Sequence, residues 1–308
     1  MTAPKPTDLL EGTAVRPAMT QRLIDTQAPL LLRPVGDDPN DRRNWVLKAI
    51  ERTGQSLDDA IATWMLGFAM GDDLIWSATA ADKGEAEATR LHDQVWQAMP
   101  AKYRDAAQAC FTFHSKSPPY GLEPVSVDEA VKRLELSREE TLVLWNRAFT
   151  GRDHQAWLAW EDAYGAREAV IVYSRLWEGF ALGFLDMIKH SLGMETFEST
   201  EDLAKLNRAY WEAIGSEVED VEQTPDRLVA VIKTCPFFDN LVDMYGKEAA
   251  SDMMKKTIGS TSSNYYQALT KALGLWDEYF VTQDRFRCLG DGECRMVYTR
   301  RSAMGNQA

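Results

Sequence analysis

The sequence predicts an α+β protein, with a mostly helical N-terminal two thirds and a C-terminal four-stranded antiparallel sheet packed with helices. Three observations carry that prediction. Apolar and aromatic residues recur at helical spacing from about residue 40 to residue 192. The two-residue alternation of strands appears only after residue 215. Turn signals at Thr224-Pro225-Asp226 and Asp291-Gly292 join the alternating runs into hairpins. A chain of 308 residues is long for one core, so it divides into an arm over 1–39, a helical domain over 40–193, an α+β domain over 194–301 and a tail over 302–308.

The elements follow in order. Pro4, Pro6, Pro17, Pro29, Pro34 and Pro39 fix φ and remove N–H groups throughout the arm, which excludes regular helix or sheet there. Its apolar stretch Arg22 to Leu32 is expected to pack on the chain's own body or on a second subunit. Helices are predicted over about 40–53, 56–80, 84–99 and 101–113, with start signals in which a serine precedes an acid three positions on: Ser56-Asp59, Ser126-Glu129 and Ser137-Glu140. Ser115 to Pro124 reads as a loop, because its prolines and Gly121 break regular structure, and a short helix follows over 127–135. From Arg138 to Leu192 long helices are expected, interrupted near Gly151 and Gly165.

Within this region GFAMG (Gly67 to Gly71) returns as GFALG (Gly179 to Gly183), shortly after Trp64 and Trp177 respectively. Paired glycines four apart mark a close helix crossing or a close approach to a ligand. Between Glu195 and Glu222 nine acids face two bases, and a helix is predicted over about 201–214. Ser216 to Gln223 and Arg227 to Thr234 then read as a hairpin. Helices over 237–246, 248–258 and 261–273 come next, and Tyr279 to Arg287 and Cys294 to Arg300 read as the last two strands.

Charge narrows the partners. With 34 basic against 47 acidic residues, a net charge of −13 repels nucleic acid and anionic membrane surfaces. The most apolar stretch, Ala169 to Ile188, carries Arg175, Glu178 and Asp186 and so does not read as a bilayer span. The first dozen residues have no signal-peptide pattern, so the expected location is cytoplasmic, where the four cysteines stay largely as thiols. No P-loop or GxGxxG follows a strand and no cofactor is expected; the implied partners are a small-molecule substrate and a second copy, bound through the arm or the helical region.

Cys235 is the most informative residue. It ends a strand and precedes Pro236, a residue suited to the first helical turn, so its sulfur is expected at a helix N-terminus, where a thiolate is favoured. The reading that most cysteines satisfy is a packed residue closing the strand; a nucleophile or acid/base thiol comes next, and a metal ligand after that. Cys288 and Cys294 flank the last hairpin turn and could face each other as a disulfide or a soft-metal edge, although neither belongs to a CxxC pair. Cys110 sits in an apolar helical context and is assigned no role. The histidines show no HxH or HExxH spacing; His190 lies one turn after Asp186, where a carboxylate could orient the imidazole although an ordinary surface pair is the favoured reading, and His114, before the proline-rich loop, is a second candidate base.

With Cys235-Pro236 at a strand-to-helix junction and Gly290-Asp291-Gly292-Glu293-Cys294 in the last hairpin, the C-terminal third resembles the L-2-amino-thiazoline-4-carboxylate hydrolase-like family, over about residues 200–300. The GDxxC pattern after a helical stretch is also similar to the small-ligand sensor domain named after bacteriochlorophyll 4-vinyl reductase. The first resemblance implies an enzyme that hydrolyses, or performs a related addition–elimination at, a C–N or C–S bond of a small cyclic or carboxylated molecule. Cys235 would be its nucleophile or proton-transfer group, tuned by Asp239 one turn later. Arg287 would hold a substrate carboxylate by two parallel hydrogen bonds, Asp291 and its hairpin would close the pocket, and Tyr173, Trp177, Trp211 and Phe237 would supply an apolar wall. The second resemblance implies a non-catalytic ligand-binding or sensor protein. A third reading gathers Cys235, Cys288 and Cys294 around a metal.

Overall fold

Ser56, Ser126 and Ser137 each accept a hydrogen bond from the backbone N–H three residues on, at 3.1, 3.3 and 3.2 Å, and so open three helices where the sequence predicts them. A computed structural model describes residues 45–304; the proline-rich arm and the end of the tail lie outside the described residues. The capped helices are α2 (Leu57–Lys83), α5 (Val127–Leu134) and α6 (Arg138–Tyr164), with α1 (Trp45–Thr53) before them and α3 (Glu85–Ala98) and α4 (Ala101–Cys110) between. Next come α7 (Ala166–Gly183), α8 (Leu185–Leu192) and α9 (Thr200–Ala213), the last started by a capping box of Ser199 and Asp202. Trp145, Trp157 and Trp160 of α6 are sealed in the helical core, and the same helix also buries Arg152, Asp153 and His154.

The two glycine motifs meet at one crossing. Helices α2 and α7 pack together, and a Cβ added at Gly179 or Gly183 would fall on the side chain of Leu74 or Met70 of α2. Gly71 leaves room for the Arg152 guanidinium and the Phe180 ring. Missing side chains thus let the backbones approach, as the close-crossing reading expects.

The C-terminal unit is the expected α+β layer. Strands β3 (Val218–Thr224), β4 (Arg227–Ile232), β5 (Tyr279–Arg285) and β6 (Cys294–Arg300) form an antiparallel sheet in the order β3-β4-β6-β5. Leu228, Ala230 and Ile232 of β4 alternate inward with Cys294, Met296 and Tyr298 of β6, their register partners, and join the main core. Helices α10 (Pro236–Tyr245) and α11 (Lys247–Ala272) follow β4, and α9 and α11 pack on the sheet. Because α11 also packs along α7, the sheet and the N-terminal helices share one hydrophobic core.

Three local expectations are corrected. Helix α6 runs unbroken through Gly151, where a Cβ would come within 3.2 Å of Met244 Cε; the glycine serves the contact with α10 and breaks nothing. Helix α11 continues across the expected gap between 258 and 261, since packing along α7 overrides the weak helix propensity of that segment. Residues 111–113 are not helical: β1 (Phe111–Phe113) pairs with β2 (Leu122–Pro124), and Phe111 stacks edge-on against Trp145 at 5.2 Å. The chain ends its described part with a single turn, α12 (Arg301–Met304).

Candidate functional site

Helices from both halves surround a cavity of about 150 Å³. Trp64 and Gly67 of α2, Phe149 of α6, and Tyr173, Trp177 and Phe180 of α7 form one side. Tyr210 and Trp211 of α9, Cys235 and Phe237 at the head of α10, and Met254, Ile258, Tyr265 and Tyr266 of α11 form the other. Phe184, Met187, Ile188, Ala213 and Ile214 complete the wall. Edge-to-face contacts lock it: Trp177 meets Phe237 at 5.3 Å with an interplanar angle of 81°.

Five of the sequence-predicted residues therefore converge on one cavity: Tyr173, Trp177, Trp211, Cys235 and Phe237. The remaining four do not line it. Asp239 is ion-paired with Arg287, so the guanidinium expected to clamp a carboxylate is already engaged by the chain itself. Asp291 accepts from the Phe286 backbone N–H at 2.8 Å and closes the hairpin turn. His114 pairs with Glu123 at 2.9 Å on the β1–β2 hairpin, with Nε2 as the contact atom, and offers no base to Cys235.

Cys235 is the N-cap of α10, as its place before Pro236 predicts. The expected lowering of its pKa is corrected. Burial pushes the thiol well above its ordinary value, the neighbouring Cys294, Asp239 and Cys288 add to the rise, and the Phe238 amide only partly opposes it. A sulfur beside a hydrocarbon wall lacks the water that would share its charge, and one amide does not replace that water. The resting group is a neutral thiol.

All four cysteines are free, and burial pushes Cys288 up to about 12 and Cys110 up to about 11. Cys294 Sγ accepts from the Arg287 backbone N–H at 3.4 Å. Among the described residues no group of three His, Cys, Asp or Glu side chains is arranged to hold a metal ion. The three-cysteine ligand set is thereby corrected: these sulfurs are packed thiols near one another, not an assembled coordination shell.

Of the polar atoms on wall residues, Trp177 Nε1, Trp211 Nε1 and Tyr266 Oη are buried with no hydrogen-bond partner among the described residues, while others are committed elsewhere. Tyr210 donates to the Ala181 carbonyl at 2.5 Å, Thr63 to the Asp59 carbonyl at 2.8 Å and Thr257 to the Met253 carbonyl at 2.9 Å. Tyr173 donates to Asp153 Oδ2 at 2.6 Å. Asp153, which sequence reading missed, is 3% exposed; burial pushes its carboxyl up to about 7, against the pull of Tyr173 and Arg152. Arg152 turns away, donating to the Phe68 carbonyl and lying over the Phe68 ring at 4.1 Å. The only signal for Asp153 was a charged triplet, Arg152-Asp153-His154, set within an apolar helix.

Comparison with protein-family models, with curated proteins and with solved structures returns no match. No described helix is long and apolar enough to cross a membrane.

Proposed function

We propose that the protein binds a small molecule in the cavity enclosed among its helices. One observation carries this reading: an apolar space, walled by aromatic side chains from six helices, lies at the junction of the two halves of the chain. A well-packed core would close such a space, because each unfilled volume forfeits dispersion contacts along its walls. The binding reading needs no reactive group, and it accords with a neutral Cys235 that has no histidine beside it.

Catalysis at Cys235 is the second reading, favoured by the placement of its sulfur on the cavity wall at the head of α10. It requires a proton acceptor: the Tyr173 hydroxyl would pass its proton to the Asp153 carboxylate it already donates to and take the thiol proton in its place. Both readings place the small molecule against the same aromatic set.

The test is a thermal-melting screen of the full chain against one- and two-ring compounds. Ligand that binds only the folded state raises the midpoint, by an amount equivalent to about 2.7 kcal/mol at a hundredfold excess over Kd. Stabilising compounds are expected, and their effect is expected to shrink in Ala213→Phe, which fills part of the space. A screen with no stabiliser contradicts the binding reading, and product formation by the wild type but not by Cys235→Ser would favour catalysis.

A further inference from the structure

Resting on the binding reading, we infer that the ligand is an uncharged, largely hydrocarbon molecule of one or two rings. No Asp, Glu, Lys, Arg, His, Asn or Gln side chain lines the cavity. A charged ligand would leave water without an opposite charge to receive it, and burying an unpaired ion costs several kcal/mol even after relaxation. The charges nearest the wall do not change this. Arg287 is held by Asp239, and Arg152 is held at the Phe68 carbonyl. Asp153 stands behind the Tyr173 phenol, and any ionised fraction of it would repel an anion.

Size and shape point the same way. A cavity of about 150 Å³ lined by hydrocarbon has room for a guest of one or two rings. The perpendicular rings of Trp177 and Phe237 present an edge and a face, the arrangement that packs against a flat ring. Neutral polar atoms on the guest are accommodated, since Trp177 Nε1, Trp211 Nε1 and Tyr266 Oη on wall residues are buried with no hydrogen-bond partner among the described residues. Of the cyclic or carboxylated molecules expected from the sequence, this inference favours the cyclic and disfavours the carboxylated.

The experiment is calorimetric titration of the full chain with three molecules of one shape: tetralin, tetralin-1-carboxylate and 1-aminotetralin. Tetralin is expected to bind, with both charged analogues more than roughly tenfold weaker. Either charged analogue within tenfold of tetralin, or tighter, overturns the inference and leaves the binding reading standing. No binding by any of the three contradicts the binding reading itself. Location is checked with Ala213→Phe and Ile258→Phe, two independent cavity-filling changes. Tetralin binding undiminished in whichever of them remains folded by circular dichroism places the molecule elsewhere and overturns the assignment.

Discussion

At the scale of single residues, position was legible in the sequence and electrostatics was not. A strand ending in Cys235 and a helix opening on Pro236 follow from local chemistry, and the sulfur does cap α10. The sign of its pKa shift depends on walls contributed by Tyr173, Trp211 and Tyr266, which no local pattern brings together. Alkylation by iodoacetamide is expected to be slow at neutral pH and to rise only above pH about 9, the upper side of an ordinary thiol; rapid modification at pH 7 would contradict the neutral thiol. Asp153 and Glu212 give a second check, because burial pushes each of these carboxyls up to about 7. Their folded values lie above their unfolded ones, so the folded chain holds the extra protons between pH about 4 and 7. The stability they contribute is fully present below that window and is lost as the pH rises through 7. Unfolding free energies from urea titration are therefore expected to fall between pH 5 and 8 by an amount on the order of a few kcal/mol, and Asp153→Asn with Glu212→Gln should flatten the profile. An equal slope in that double variant would show that other groups titrate.

Among the elements, serine caps, strand alternation and turn residues were the reliable signals, since each acts over a few neighbouring residues. Strand β6 begins and ends where its alternation does, and α2, α5 and α6 begin at their capping serines. Gly151 and the α11 segment misled because their meaning lies in a distant partner: α10 lies over one, and α7 supports the helix that contains the other. The crossing of α2 and α7 offers a contrast. At Gly179 an added methyl would collide with Leu74, itself 3% exposed, so Gly179→Ala is expected to destabilise by about 1–3 kcal/mol. At Gly67 it would meet only the Phe149 ring at 3.5 Å, an ordinary contact. Gly67→Ala is therefore expected to be neutral or to stabilise by up to about 1 kcal/mol through helix propensity. Chemical denaturation measures both, and equal effects would remove the close-approach explanation.

For the whole molecule, the division into helices and a later sheet was legible because it follows hydrophobic periodicity. The cavity was legible only in part. Tyr173, Trp177, Trp211, Cys235 and Phe237 were named from sequence, while Trp64, Phe149, Phe180, Tyr265 and Tyr266 were not, since nothing local distinguishes a wall aromatic from a core aromatic. The expected role of Arg287 failed for a related reason: its partner, Asp239, lies 48 residues away in the chain. The account rests on an apolar cavity that is open to a guest, and a structure of the protein crystallised with tetralin tests it most directly. Density for the hydrocarbon in contact with Trp177, Phe180 and Phe237 is the expected result; an empty cavity, or tetralin only at the surface, would contradict it.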